Sequence, residues 1–119
     1  MQNVLVIDDE RAISEILSHA LNRFGYHVDT ADNGTDGIVK FDTDTFDLVI
    51  TDICMSGVDG NGVARHIRRS HRKRTPIIAI SGTPWLLDEG EFDAVLPKPF
   101  SLKALAATVK DLTEPDYDA

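Results

Sequence analysis

The chain has only one cysteine, Cys54, among 119 residues. No disulfide can close within it, and a reducing compartment is the expected setting. Basic residues are scarce: 12 Lys and Arg stand against 20 Asp and Glu, for a formal net charge of -8. That deficit argues against direct nucleic-acid binding or an anionic membrane surface as the main task. No apolar run approaches membrane-spanning length, so no membrane insertion is expected. The early run "VLVI" is too short for a signal peptide, and acids follow it at once. A soluble cytoplasmic protein is the expectation. Internal repeats and low-complexity segments are absent as well. The hydrophobic fraction of 42% is enough for a core. The length predicts one domain over 1–113, with a short tail at 114–119 that frays.

Three short segments are nearly all apolar and rich in Val and Ile: "NVLVI" (3–7), "DLVIT" (47–51) and "PIIAIS" (76–81). Such runs suit strands covered on both faces, as in a parallel sheet. "YHVDTA" (26–31) and "DAVLP" (93–97) are weaker strand candidates. Helical patterns lie between them. Ile13, Ile16, Leu17, Ala20, Leu21 and Phe24 form one face of a first helix, stopped by Gly25. "NGTDGIVKFD" (33–42) and "GNGVARHIRRS" (60–70) predict two more. In the last, "SLKALAATVKDL" (101–112), Ser101 is a candidate N-cap and Leu102, Leu105, Ala106, Val109 and Leu112 form the stripe. The alternation predicts a doubly wound α/β sheet with right-handed crossovers and helices on both faces. "GTPWLLDEGEFD" leaves room for only a turn or two of helix before the fifth strand.

In such a sheet, ligands bind beyond the carboxyl ends of the strands. Asp8 and Asp9 fall at the end of the first strand, Asp52 at the end of the third, Ser81 at the end of the fourth, and Lys98 just after the fifth. Three like charges meeting at one edge repel. A divalent cation together with Lys98 would bring their sum to zero. Oxygen ligands without a Cys/His cluster favour Mg²⁺, with Mn²⁺ as the alternative, over zinc. A cation, a lysine and a carboxylate nucleophile suit phosphoryl transfer through an aspartyl phosphate.

With "VIDDE", "ADNGTDG", "DLVITDICMSGVDG", "IIAISG" and "LPKPF" in this order, the chain closely resembles the receiver domain of two-component response regulators over roughly 3–112. The resemblance implies strand order 2-1-3-4-5. It implies that Asp52 is the phosphoacceptor and a metal ligand. Asp9 is then a direct ligand, Asp8 acts through water, and the backbone carbonyl of Cys54 is the third protein ligand. Ser81 matches the switch hydroxyl, Lys98 would pair with the phosphoryl group, and Lys98-Pro99 would be a cis peptide. The four histidines show no catalytic spacing. The resemblance implies a donor histidine on another protein, a histidine kinase or a histidine phosphotransfer protein.

The chain also departs from the family. Val95 stands three residues before Lys98, where the family usually has Tyr or Phe. Trp85 and Phe92 read as packing residues, with replacement of the missing aromatic as the competing reading. The fourth helix should be stunted, and Ser56 replaces a usual proline. The function expected is a stand-alone receiver that signals through an unknown downstream protein. Its only catalysis would be its own phosphorylation and dephosphorylation. A relay intermediate and a non-phosphorylated pseudo-receiver are the alternatives. "DDERA" after the first strand argues against a flavin phosphate loop, and Cys54 breaks the Asp-x-Asp pattern of a phosphatase. Helix N-capping competes for Asp8, and an incidental thiol is the plain reading of Cys54. Arg65, Arg68, Arg69, Arg72, Lys73 and Arg74 read as a solvated face, with a docking patch for an acidic partner as the rival.

Overall fold

A computed structural model describes residues 2–88 and 90–114. The chain runs β1 (Asn3–Ile7), α1 (Arg11–Arg23), β2 (His27–Ala31), α2 (Gly34–Thr43), β3 (Leu48–Asp52), α3 (Gly60–Arg69), β4 (Ile77–Ser81), β5 (Ala94–Pro97) and α4 (Leu102–Thr113). All pairings are parallel, in the order β2-β1-β3-β4-β5. The expected fold and strand order are those observed. Residues 115–119 of the expected tail lie outside the described residues.

Strand periodicity explains why the apolar runs are continuous. Successive side chains point to opposite faces, and here both faces are covered. Val4 and Val6 enter a core with Leu17 and Leu21 of α1 and Leu105 and Val109 of α4. Leu5 and Ile7 enter a second core with Phe41 of α2 and Val63 and Ile67 of α3.

The helix ends follow local chemistry. Asn33, Asp59 and Ser101 cap α2, α3 and α4, each side chain accepting a backbone N–H three residues on. Gly25, at φ +95°, ends α1. Its N–H donates to the Asn22 carbonyl at 3.1 Å, and the Tyr26 N–H donates to that of Leu21 at 3.0 Å. This is the paired closure that favours glycine past a helix end.

Three expectations need correction. In α1, Ile16 is 50% exposed while Ser14 is buried. Ile16 lies about 100° around the helix from the central Leu17, at the edge of the buried arc, whereas Ser14 lies about 60° from it on the other side. Leu102 is also exposed and shares a shallow surface groove with Ile16. Asp8 does not cap α1: the N-cap position is Glu10, with no side-chain cap bond. The segment before β5 is short of helix, as expected: among the described residues it forms one 3-10 turn, Pro84–Leu86.

Candidate functional site

The carboxyl ends of β1 and β3 and the residue after β5 bring Asp8, Asp52 and Lys98 together. Asp8 is 2% exposed. Its Oδ1 accepts the Glu10 N–H at 2.8 Å, while its Oδ2 is buried with no hydrogen-bond partner among the described residues. Asp52 is also buried. Its Oδ1 accepts the Ile53 N–H at 2.8 Å, and its Oδ2 accepts from Lys98 Nζ at 3.3 Å. That ammonium also lies 3.7 Å from Glu10 Oε1. Lys98 is held by a backbone bond from its N–H to the Ser81 carbonyl at 3.0 Å. The Lys98-Pro99 peptide is cis, as expected.

Among the described residues, Asp8, Glu10 and Asp52 offer carboxylate oxygens that lie within 4.8 Å of one another. Glu10, to which the sequence alone assigns no role, joins the group. The Asp9 carboxylate does not: it is exposed and lines the adjoining pocket with Cys54 and Asp59. The electrostatics follow from this crowding. Burial, then the Asp52 and Glu10 charges, push the Asp8 carboxyl up to about 6, against the lowering effect of the Glu10 N–H and of Lys98. For Lys98, burial pulls the ammonium down. Asp52, with charge and hydrogen bond together, then Asp8 and Glu10, outweigh burial and hold it above its ordinary value. An orphaned buried carboxylate oxygen beside two other carboxylates fits a hard divalent cation.

Ser81 ends β4, is 1% exposed, and turns its hydroxyl to the next segment. Its Oγ accepts the Thr83 N–H at 2.9 Å and lies 3.2 Å from the Thr83 hydroxyl. Thr83 Oγ1 in turn lies 3.5 Å from the sulfur of Cys54. The pocket lined by Asp9, Ile53 and Cys54 has a volume of about 550 Å³, with Asn61 and Leu86 on its wall. A larger groove of about 590 Å³ runs between α1 and α2 along β2 and holds none of the converging residues.

Further corrections concern Trp85 and the basic stretch. Trp85 is 76% exposed and does not pack. The turn that carries it is fastened through the backbone of Leu86 and Asp88. Phe92 does pack, against the α2/α3 core. The basic stretch is neither simply solvated nor simply a patch, because three of its arginines clamp the fold. Arg65 pairs with Asp88. Arg68 donates to the carbonyls of Lys73, Thr75 and Glu91 and pairs with Asp93 at 2.8 Å. Arg72 donates to the Phe41 carbonyl at 2.6 Å and stacks over the Phe41 ring at 4.8 Å. Asn61, buried on α3, also carries no mark in the sequence, since a lone Asn in a helical pattern gives no signal of a partner 25 residues away.

The response regulator receiver domain family model matches residues 4–110. The transcriptional regulatory protein ResD of Bacillus subtilis is 36% identical over 114 residues, covering 92% of this chain and 47% of ResD. The probable transcriptional regulator ycf27 of Cyanidium caldarium is 36% identical over 116 residues, covering 92% of this chain and 45% of that protein. The chain thus spans about half the length of the curated relatives it matches. Among solved structures, the response regulator TrrA of Thermotoga maritima in complex with Mg²⁺-BeF superposes with a TM-score of 0.87 at 37% identity, covering 94% of this chain and 99% of that one. TrrA in complex with the histidine kinase ThkA superposes with a TM-score of 0.84 at 36% identity, covering 96% and 100%. Among the described residues, no helix is long and apolar enough to cross a membrane. By its fold, its converging strand ends and the family match across nearly its whole length, the chain belongs to the response regulator receiver domain family.

Proposed function

We propose that this receiver takes a phosphoryl group from a phosphohistidine of a histidine kinase onto Asp52, in a Mg²⁺-dependent reaction in the cytoplasm, and signals by altered binding to a protein partner. The observation that carries the reading is the Asp52–Lys98 contact at 3.3 Å beside the orphaned Asp8 oxygen. Asp8, Glu10 and Asp52 would hold the cation, with Mn²⁺ as a substitute. Asp9 and the Cys54 backbone carbonyl, ligands by family resemblance, adjoin them. When bound, the cation neutralises charge developing on the transferred phosphoryl oxygens.

The Ile53 N–H fixes one Asp52 oxygen, which orients the carboxylate for attack along the line of the breaking bond. An Asp52 oxygen forms the new O–P bond as the donor's P–N bond breaks. The electron pair leaves on the imidazole nitrogen, which then takes up a proton. Lys98, within reach of Asp52, supplies positive charge to the phosphoryl oxygens. The Ser81 hydroxyl accepts the Thr83 N–H and keeps its own proton to donate to one of them. The Asp52–Lys98 contact, with the Lys98 N–H bonded to the Ser81 carbonyl, supports this reading over a pseudo-receiver.

The test is transfer from the labelled, phosphorylated catalytic core of a histidine kinase. Label should move to the parent chain and not to Asp52→Asn. Label retained on the kinase across a panel of such donors, with the receiver folded, would contradict the proposal. Return of label from the receiver to a histidine phosphotransfer protein would identify a relay.

A further inference from the structure

We propose that the cleft at the turn from α3 to β4, rimmed by His71, Lys73 and Arg74, docks an acidic, extended segment of a partner protein. The chain carries a net charge of -8, yet no acid lines this cleft. Its volume is about 340 Å³, and Phe46, Arg72 and Thr75 complete its lining. Lys73 and Arg74 are exposed and pair with no carboxylate among the described residues. The cations of the last helical turn, Arg68 and Arg69, already suit the carbonyl end of α3. Lys73 and Arg74 lie past the cap at Ser70, where the helix dipole has faded and does not account for them.

Arg72 gives the cleft a fixed charge. Its guanidinium donates to the Asp44 and Phe41 carbonyls and stacks over the Phe41 ring. Its Nε is buried with no hydrogen-bond partner, and no carboxylate pairs with it, among the described residues. The charge is held in place but not cancelled, and a half-buried charge without a counter-ion favours an arriving anion. The backbone around it is held as well. Arg68 donates to the carbonyls of Lys73 and Thr75, each at 2.7 Å. The Thr75 N–H and hydroxyl donate to the Arg72 carbonyl at 3.1 and 2.8 Å. A platform fixed in this way loses little freedom on binding. The acids near Phe46 in sequence, Asp44 and Asp47, do not line the cleft, and Asp47 Oδ2 accepts the Asn3 N–H at 2.7 Å.

The charge layout selects the occupant. The cleft lies at the amino ends of β3 and β4, whereas Asp8, Glu10 and Asp52 lie at the opposite edge of the sheet. The five residues of β3 separate the two edges by roughly 17 Å, about two Debye lengths at physiological salt. A short acidic segment therefore meets the cations without the repulsion of the acceptor site. A nucleic-acid strand is a long polyanion and must run past the acidic remainder of the chain, which opposes it. Docking here needs no phosphoryl group on Asp52.

The experiment titrates the full chain into a dye-labelled peptide rich in Asp and Glu and follows fluorescence anisotropy at low salt. The parent should bind saturably, and binding should weaken severalfold on going to physiological salt. Lys73→Gln with Arg74→Gln should weaken it about tenfold. Lys103→Gln with Lys110→Gln makes the same change in net charge at exposed positions on α4 and should leave the affinity within about twofold of the parent. Melting midpoints show that both double variants are folded. No saturable binding by the parent would overturn the proposal. So would equal weakening in both double variants, which would mean bulk charge alone. Tighter binding of a single-stranded oligonucleotide of equal charge, lost in Lys73→Gln with Arg74→Gln, would make the cleft a nucleic-acid surface instead. Displacement of the peptide by an equal concentration of inorganic phosphate would make it a small-anion pocket and also overturn the proposal.

Discussion

Lys98 Nζ lies 3.3 Å from Asp52 Oδ2, across 46 residues of chain. The contact offsets part of the repulsion among Asp8, Glu10 and Asp52, and the same carboxylates hold the lysine above its ordinary pKa. A raised lysine stabilises the fold throughout neutral pH, and the contribution is lost as pH rises through the folded value. Lys98→Met should therefore cost about 1.5–3 kcal/mol in metal-free buffer near neutrality. Urea denaturation checks this, and an unchanged midpoint with an unchanged slope would contradict it. Phosphoryl uptake should fall as well.

Asp8 gives the opposite sign. Its carboxyl ionises near 6 in the folded chain, against an ordinary value of 3.8. The folded state binds that proton more tightly, so ionised Asp8 costs stability above about 6, and the cost is relieved as pH falls through 6 toward 3.8. Asp8→Asn should stabilise the metal-free protein at ~pH 7 by up to about 3 kcal/mol. The gain should vanish near pH 4. Saturating Mg²⁺ should narrow it, because the parent gains more from the cation. Melting curves against pH, with and without Mg²⁺, check all three.

Gly60 tests how the acceptor loop is held. Its N–H donates to the Ile53 carbonyl at 3.0 Å. A Cβ there would collide with the Asp52 carbonyl oxygen and come within 2.8 Å of the Ile53 Cα. Gly60→Ala should cost about 1–3 kcal/mol or more, because backbone atoms must give way. It should also slow phosphoryl uptake, since the displaced atoms belong to the acceptor residue. Thermal unfolding and uptake rate together check this, and an unchanged midpoint would contradict the close approach.

Arg68 tests whether the basic stretch is structural. Its guanidinium meets three carbonyls and Asp93, and the Asp93 carboxylate also accepts the Ile77 N–H at 2.7 Å. Arg68→Ala should destabilise by about 1.5–3 kcal/mol. Arg68→Lys should fail to restore it, because one ammonium cannot fork among four acceptors. Full rescue by lysine would mean that charge alone matters there.

The sheet is legible in the sequence because burial on both faces leaves continuous Val/Ile runs. The site is legible because acids that end two such runs repel one another unless a cation and a lysine offset them. Asp52, Lys98 and Asp8 emerge this way. Long-range polar contacts leave no such mark. Asn61 and Arg68 look like ordinary helix residues until the segment before β5 is seen. The stripe of α1 comes out too wide at Ile16, because periodicity gives a direction but not the width of the covered arc. Trp85 reads as packing from its size, yet a single 3-10 turn tied by its backbone leaves the ring in solvent. Glu10 is passed over, because the order of residues along a strand end does not show which neighbouring carboxylates reach one another.

The most direct measurement is intact mass after incubation with Mg²⁺ and a small phosphodonor, with Asp52→Asn beside the parent. The account predicts one added phosphoryl group on the parent and none on the variant. Equal uptake by both, or none by a parent shown to bind Mg²⁺, would contradict the assignment of Asp52 as the acceptor.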